Sequence, residues 1–173
     1  PFWIDWNPDN SVLVANSGAW AGDPLNSGVD SDGDGAPEAV PYIERGLEAS
    51  AQATPERAEI LVVDTTTSYG PVNLPGPSAL ATNRTITGGI DPVTLKRAAP
   101  AADGTGMSNV YGTNSAPDAL GVSGATIGGP YDLRFRQLDV RSGAPSAGNH
   151  RTAYGLRLVG PATITLERSR VEG

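Results

Sequence analysis

Asp30, Asp32 and Asp34 stand at alternate positions in the stretch Asp30-Ser31-Asp32-Gly33-Asp34-Gly35, and Glu38 follows shortly after. Alternate carboxylates that end on glycine match the first half of a calcium loop, in which hard oxygen ligands converge on the ion and glycine permits a sharp turn. A full EF-hand loop would close on a bidentate carboxylate, and Pro41 occupies that place. The EF-hand is therefore excluded, and a half-loop of the kind found in secreted repeat modules remains. On this reading calcium is held by Asp30, Asp32 and Asp34, by a backbone oxygen near Ala36, and by Glu38. A metal-free acidic turn is the alternative, because Asp and Gly both suit turns.

Catalytic chemistry has thinner support. The single histidine, His150, sits in the loop-like segment SGAPSAGNHRTAYG without a G-x-S-x-G motif beside it, so nothing specific favours a nucleophile–base pair. No phosphate-cradling G-x-x-x-x-G-K-[ST] motif occurs, and nucleotide chemistry lacks support. The chain contains no cysteine, which rules out disulfides, thiolate metal sites and thiol catalysis. Its formal charge is −7 and its one lysine is Lys96. Nucleic-acid backbones are bound by clustered Lys and Arg, so nucleic acid is a poor partner. No stretch approaches the roughly 20 apolar residues that cross a bilayer. The opening PFWIDWNPDN lacks the basic start of a signal peptide, so any export signal was removed or lies outside the sequence.

The elements that must position these residues are short. Twenty-two glycines and 15 prolines in 173 residues, with 6% aromatic content, interrupt the chain too often for long helices and favour an all-β fold of short strands and turns. Residues 1–35 form an aromatic N-terminal segment and the acidic loop. Phe2, Trp3, Trp6 and Trp20 lie in it, either packed on the body of the domain or presented as an interaction surface. A capping helix is expected at about 39–53, where Val40, Ile43 and Leu47 recur at helical spacing, Pro41 suits the first turn and Pro55 ends the element. The β-branched run EILVVD reads as a buried strand that, with Leu74, receives the helix. Further strands are expected at NRTITGG, GATIGGP, YDLRFRQLDVRSG, AYGLRLVG and ATITLERSRVEG. A faint repeat of 31 residues carries Phe135, Leu138 and Val140 onto Leu166, Ser169 and Val171. Strand–turn repeats of this kind indicate a solenoid, each coil burying its inward side chains on the next.

The order of helix AVPYIERGLEASAQ, strand EILVVD, then LATNRTITGGIDPVTLKRAA, LRFRQLDVRSG and ITLERSRVEG resembles the start of a right-handed parallel β-helix. More specifically it is similar to pectate-lyase-like surface proteins of bacteria. The resemblance covers about residues 36–173 and implies that the helix caps the first coil. A β-sandwich or jelly roll is the alternative fold. The function expected is a non-enzymatic structural or adhesive module, extracellular or on a bacterial cell surface, forming part of a larger solenoid, filament or assembly. Its partners would be protein subunits or surface carbohydrate. ATITLERSRVEG is followed by no helix or proline-rich cover, so this end is expected to be covered by further coils or a neighbouring subunit. The alternative function is a carbohydrate-active β-helix enzyme, a polysaccharide lyase or glycoside hydrolase, using Asp132, Arg134, Arg136, Asp139 and Glu167. Their alternation equally suits a solvated strand face with cross-strand ion pairs.

Overall fold

The computed structural model describes residues 10–23, 25–30, 32, 37–74, 82–101, 105–112, 122–143 and 153–173. These form one α-helix and eleven strands: β1 (Ser11–Val14), α1 (Ile43–Gln52), β2 (Glu59–Val63), β3 (Val72–Leu74), β4 (Asn83–Ile90), β5 (Ser108–Tyr111), β6 (Val122–Ile127), β7 (Asp132–Arg136), β8 (Leu138–Arg141), β9 (Ala153–Leu158), β10 (Thr163–Glu167) and β11 (Arg170–Glu172). The chain is thus predominantly β. Its strands make three sheets, ordered β1-β2-β4-β7-β10, β5-β8-β11 and β3-β6-β9, and every strand pairing is parallel. From β4 onward the chain visits the three sheets in fixed rotation. Parallel neighbours cannot be joined by a tight hairpin, and from β4 onward the connection between them passes through the other two sheets.

The expected 31-residue repeat is the register between the last strands of each sheet. Phe135 opposes Leu166, Val140 opposes Val171 and Leu156 opposes Ala125. The mismatched Ser169 lies at a corner, where its hydroxyl oxygen accepts the Leu138 amide at 3.2 Å. Two further pairs share this spacing. Gln137 and Arg168 both turn their corners with positive φ. Gly124 and Gly155 both let a carbonyl approach: a β-carbon there would stand 2.6 Å from the oxygens of Arg141 and Glu172 respectively. The segments GATIGGP and GLRLVGP carry this repetition openly in the sequence.

Inward residues of the three sheets make one core that includes Val12, Val14, Ile60, Val62, Leu74, Ile86, Leu133 and Phe135. A second cluster, Leu13, Ala15, Ala39, Leu61, Val63 and Ile90, covers the other face of β1 and β2. β2 is consequently buried on both faces, which is why EILVV reads as an unbroken apolar run. β7 has one wet face, and DLRFR alternates.

The helix is shorter than its sequence pattern suggests, beginning at Ile43. Val40 precedes proline, which disfavours helical backbone, and it makes a parallel bridge to Val14 instead. Val40, Ile43 and Leu47 nevertheless join Ile60, Val62 and Leu74 in the core, as expected. Gly46 sits mid-helix at a propensity cost of about 1 kcal/mol relative to alanine. A β-carbon there would stand 2.6 Å from Val14 Cγ2, so its absence lets α1 lie close on the end of the stack. Three short strands, β1, β3 and β5, were not anticipated. β1 lies in the aromatic segment and pairs with β2.

Candidate functional site

The acidic loop rises from the edge of β1. The Leu13 amide donates to the Gly28 carbonyl at 2.8 Å, and the Val40 amide donates to the Leu13 carbonyl at 3.0 Å. The two legs of the loop are tied to each other by the Gly28 amide on the Glu38 carbonyl (2.8 Å) and the Glu38 amide on the Val29 carbonyl (3.2 Å). Gly28 has φ +76° and lies against Val12, so a side chain is excluded by both backbone angle and space. The chain is thereby turned so that Asp30, Asp32 and Glu38 each bring a carboxylate oxygen within 4.8 Å of the others. Asp34 and Ala36, the remaining sequence-derived ligands, lie outside the described residues.

Three carboxylates at this spacing repel one another unless a cation or proton offsets the charge. The donor set is all oxygen, which suits a hard cation such as calcium. Asp30 and Glu38 are half-buried and Asp32 is exposed, which leaves water able to complete the coordination shell.

The expected interface residues divide. Trp20 is half-buried against the second core cluster and its indole nitrogen donates to the Pro92 carbonyl at 2.7 Å. It packs onto the body of the domain. Phe2, Trp3 and Trp6 lie outside the described residues, as does His150.

The charged residues of the late strands form ladders. Arg136 reaches Glu167 at 3.1 Å and Glu59 at 3.7 Å across the first sheet. Asp132 and Arg134 are exposed on β7. Asp139 differs from the expected solvated face, because it is only 1% exposed. It accepts from the Arg141 guanidinium, with Nε at 2.8 Å from Oδ1, and it is also paired with Arg170. The reason is positional: Arg170 is its register partner on the adjacent strand, and the two long arginine side chains fold over the short carboxylate. The hydrogen bonds of the Asp91 side chain to Val93 and Thr94 (2.7–3.0 Å) set the turn after β4 and hold its carboxyl below the ordinary range.

One carboxylate escaped the sequence reading. Glu44, in the first turn of α1, accepts the Asn73 amide at 2.8 Å, and burial raises its pKa against the opposing effect of that bond. Its sequence signal is faint: an acidic residue in a first helical turn is ordinary.

The fold places the chain among all-β proteins built from parallel sheets. No protein-family model matches the chain, and no curated protein or solved structure matches it either. Among the described residues, no helix is long and apolar enough to cross a membrane.

Proposed function

We propose that the chain is a structural and interaction module of a secreted or cell-surface bacterial protein, folded as a parallel β-helix and working within a larger solenoid or subunit assembly. The observation that carries this reading is at one end of the strand stack. Leu158, Leu166 and Val171 are 48%, 46% and 37% exposed, yet they occupy the registers of Ile127, Phe135 and Val140, all of which are buried. They keep core registers, and among the described residues no further strand covers them. Strand-forming surface with inward apolar side chains is the complement they fit, since it would pair the free edges of β10 and β11 and bury these side chains. Protein is therefore the partner proposed, ahead of surface carbohydrate. Calcium, held by Asp30, Asp32 and Glu38, would fasten the loop that covers the edge of β1.

Asp139 is enclosed by arginines and Glu167 is paired with Arg136, which supports the scaffold reading over the carbohydrate-active one.

Sedimentation of the 173-residue chain tests the reading. Concentration-dependent association is expected, and it is abolished by Leu166→Glu. A wild-type chain that stays monomeric at high concentration, with the amides of residues 163–171 fully protected from exchange, overturns it.

A further inference from the structure

A cleft of about 430 Å³ lies between the first turn of α1 and residues 69–72. Its walls are Ile43, Pro71 and Val72 with the aromatic residues Tyr42 and Tyr69, and its acidic residues are Glu44 and Glu48. This volume falls in the range of small-molecule sites. Tyr69 is fixed in the wall by its hydroxyl, 2.8 Å from the Val63 carbonyl oxygen. Tyr42 is 58% exposed at the cleft.

The charges in the cleft are unequal in their engagement. Glu48 is paired with Arg45 at 3.1 Å, and Arg45 also donates to the Asn26 carbonyl at 3.1 Å. Glu44 uses one oxygen on the Asn73 amide, and among the described residues no cation is paired with it. A half-buried carboxylate without a counter-charge, flanked by aliphatic walls and an exposed aromatic ring, is complementary to a cation on an apolar stem.

We propose that this cleft binds a primary alkylammonium group, the chemistry shared by small aliphatic amines and the lysine side chain, with the stem on Ile43, Pro71 and Val72, the charge on Glu44, and Tyr42 over it. The inference stands independently of how the far end of the stack is covered. The charge of the site selects the ligand: one uncompensated carboxylate takes one cation, and the aliphatic walls favour an alkyl stem over a bare metal ion.

Backbone amide NMR titration tests it on the full chain with three probes: butylammonium, Nα-acetyl-lysine methylamide, and Nα-acetyl-norleucine methylamide as the uncharged counterpart. Saturable shifts are expected at Ile43, Glu44, Gly70 and Val72 with both amines. The norleucine probe should bind at least about tenfold more weakly. Glu44→Gln keeps an acceptor for the Asn73 amide and removes the charge, and it should weaken amine binding by about tenfold or more. No atom lies within 4 Å of where a β-carbon at Gly70 would stand, so this cleft-lining position has room for a side chain to begin, and Gly70→Phe, once its amide spectrum shows the native fold, should obstruct the cleft and abolish the shifts. Tighter binding of the lysine probe than of butylammonium assigns the site to a protein's lysine; equal binding assigns it to free amines. The proposal is overturned if neither amine gives saturable shifts, if norleucine binds as well as lysine, or if Glu44→Gln binds amines unchanged.

Discussion

At one end of the strand stack Ile43 and Leu47 of α1 lie in a common core with Val12, Val14 and Ile60, while Gly28 and Val40 hydrogen-bond along the outer edge of β1 at Leu13 and Ala15. At the other end Leu158, Leu166 and Val171 keep the inward register of buried residues and stand 37–48% exposed. The same strand geometry is thus covered by a helix at one end, while at the other the described residues expose side chains in core registers. A parallel stack does not terminate itself: each layer supplies the wall for its neighbour, and only an element of different shape can end it. α1 covers this end because its apolar stripe faces inward, while its outward side carries the half-buried Arg45 and Glu48 and the exposed Gln52. Gly46 removes the side chain that would hold it away.

The largest difference between the ends is expected from paired truncations. Leu47→Ala, at a fully buried position, should destabilise by about 2–5 kcal/mol through lost transfer energy and a cavity. Leu166→Ala, at its half-exposed counterpart, should cost under about 1 kcal/mol under conditions where the chain is monomeric. Urea midpoints at low protein concentration measure both. Equal losses would mean that Leu166 is already covered within the monomer.

Asp139→Asn comes next in size and probes the pairing of β8 with β11. Removing the charge leaves Arg141 and Arg170 without their shared partner. Both arginine side chains remain about one-third exposed, and water partly compensates them, so a loss of about 1–3 kcal/mol is expected. Asp132→Asn, on the open face of β7, should change stability by no more than about 0.5 kcal/mol. If both substitutions are neutral, the arginine clasp contributes nothing to the open end.

How much of this was legible in the sequence depends on the evenness of the spacing between paired strands. In the first sheet the opposed residues are Ser11 and Glu59, Glu59 and Thr85, then Asn83 and Asp132, and only with Asp132 and Thr163 does the spacing settle to 31. Insertions of unequal length displaced the earlier repeats, so the faint match of Phe135, Leu138 and Val140 to Leu166, Ser169 and Val171 was all that periodicity offered. β1, β3 and β5 are three or four residues long; a run that short carries no alternation to detect, and its identity comes from the neighbouring strand. The run EILVVD and the stripe of Ile43 and Leu47 were legible because burial dictates their composition directly. The metal candidate was legible in part. Asp30, Asp32 and Glu38 were picked out by carboxylate spacing, whereas the ties of Gly28 and Glu38 that bring them together are backbone contacts without a residue signature. Asp139 was misread as a solvated charge because the arginine covering it from β11 is 31 residues away.

Calcium should act on the closed end alone. Binding to the loop at a hundredfold excess over its Kd adds about 2.7 kcal/mol to the stability of whatever opens with that loop. The Val29, Glu38 and Val40 amides should therefore exchange more slowly in calcium than in chelator, while those of β10 and β11 exchange at the same rate in both. Asp30→Asn should remove the difference. Protection that changes equally at both ends would place the ion somewhere other than this loop.

The smallest effect belongs to Glu44 and can be separated from the rest by its sign. Burial raises its folded-state pKa above the ordinary 4.5, with the Asn73 amide opposing the shift. A carboxyl whose pKa is higher folded than unfolded binds more protons in the native state, so its contribution favours folding increasingly as pH falls through the folded pKa, and that gain is complete below the unfolded value. Asp91 has the opposite sign: its pKa is depressed by Thr94 and Val93, and the stability it contributes is lost as pH falls. Total stability therefore mixes the two, and the informative quantity is wild type minus Glu44→Gln. Arg45 and Glu48, the other charged residues of the cleft, are common to both proteins, and glutamine retains the acceptor for the Asn73 amide. The difference should be lowest at neutral pH, where Glu44 is buried with its charge, and should rise toward wild type on acidification through the interval just above pH 4.5. Saturating butylammonium should flatten that rise, because an alkylammonium on Glu44 holds the carboxylate charged in the native state. A difference that falls on acidification would show that Glu44 is stabilised in its charged form without any ligand, and the closed end would then carry a counter-charge of its own.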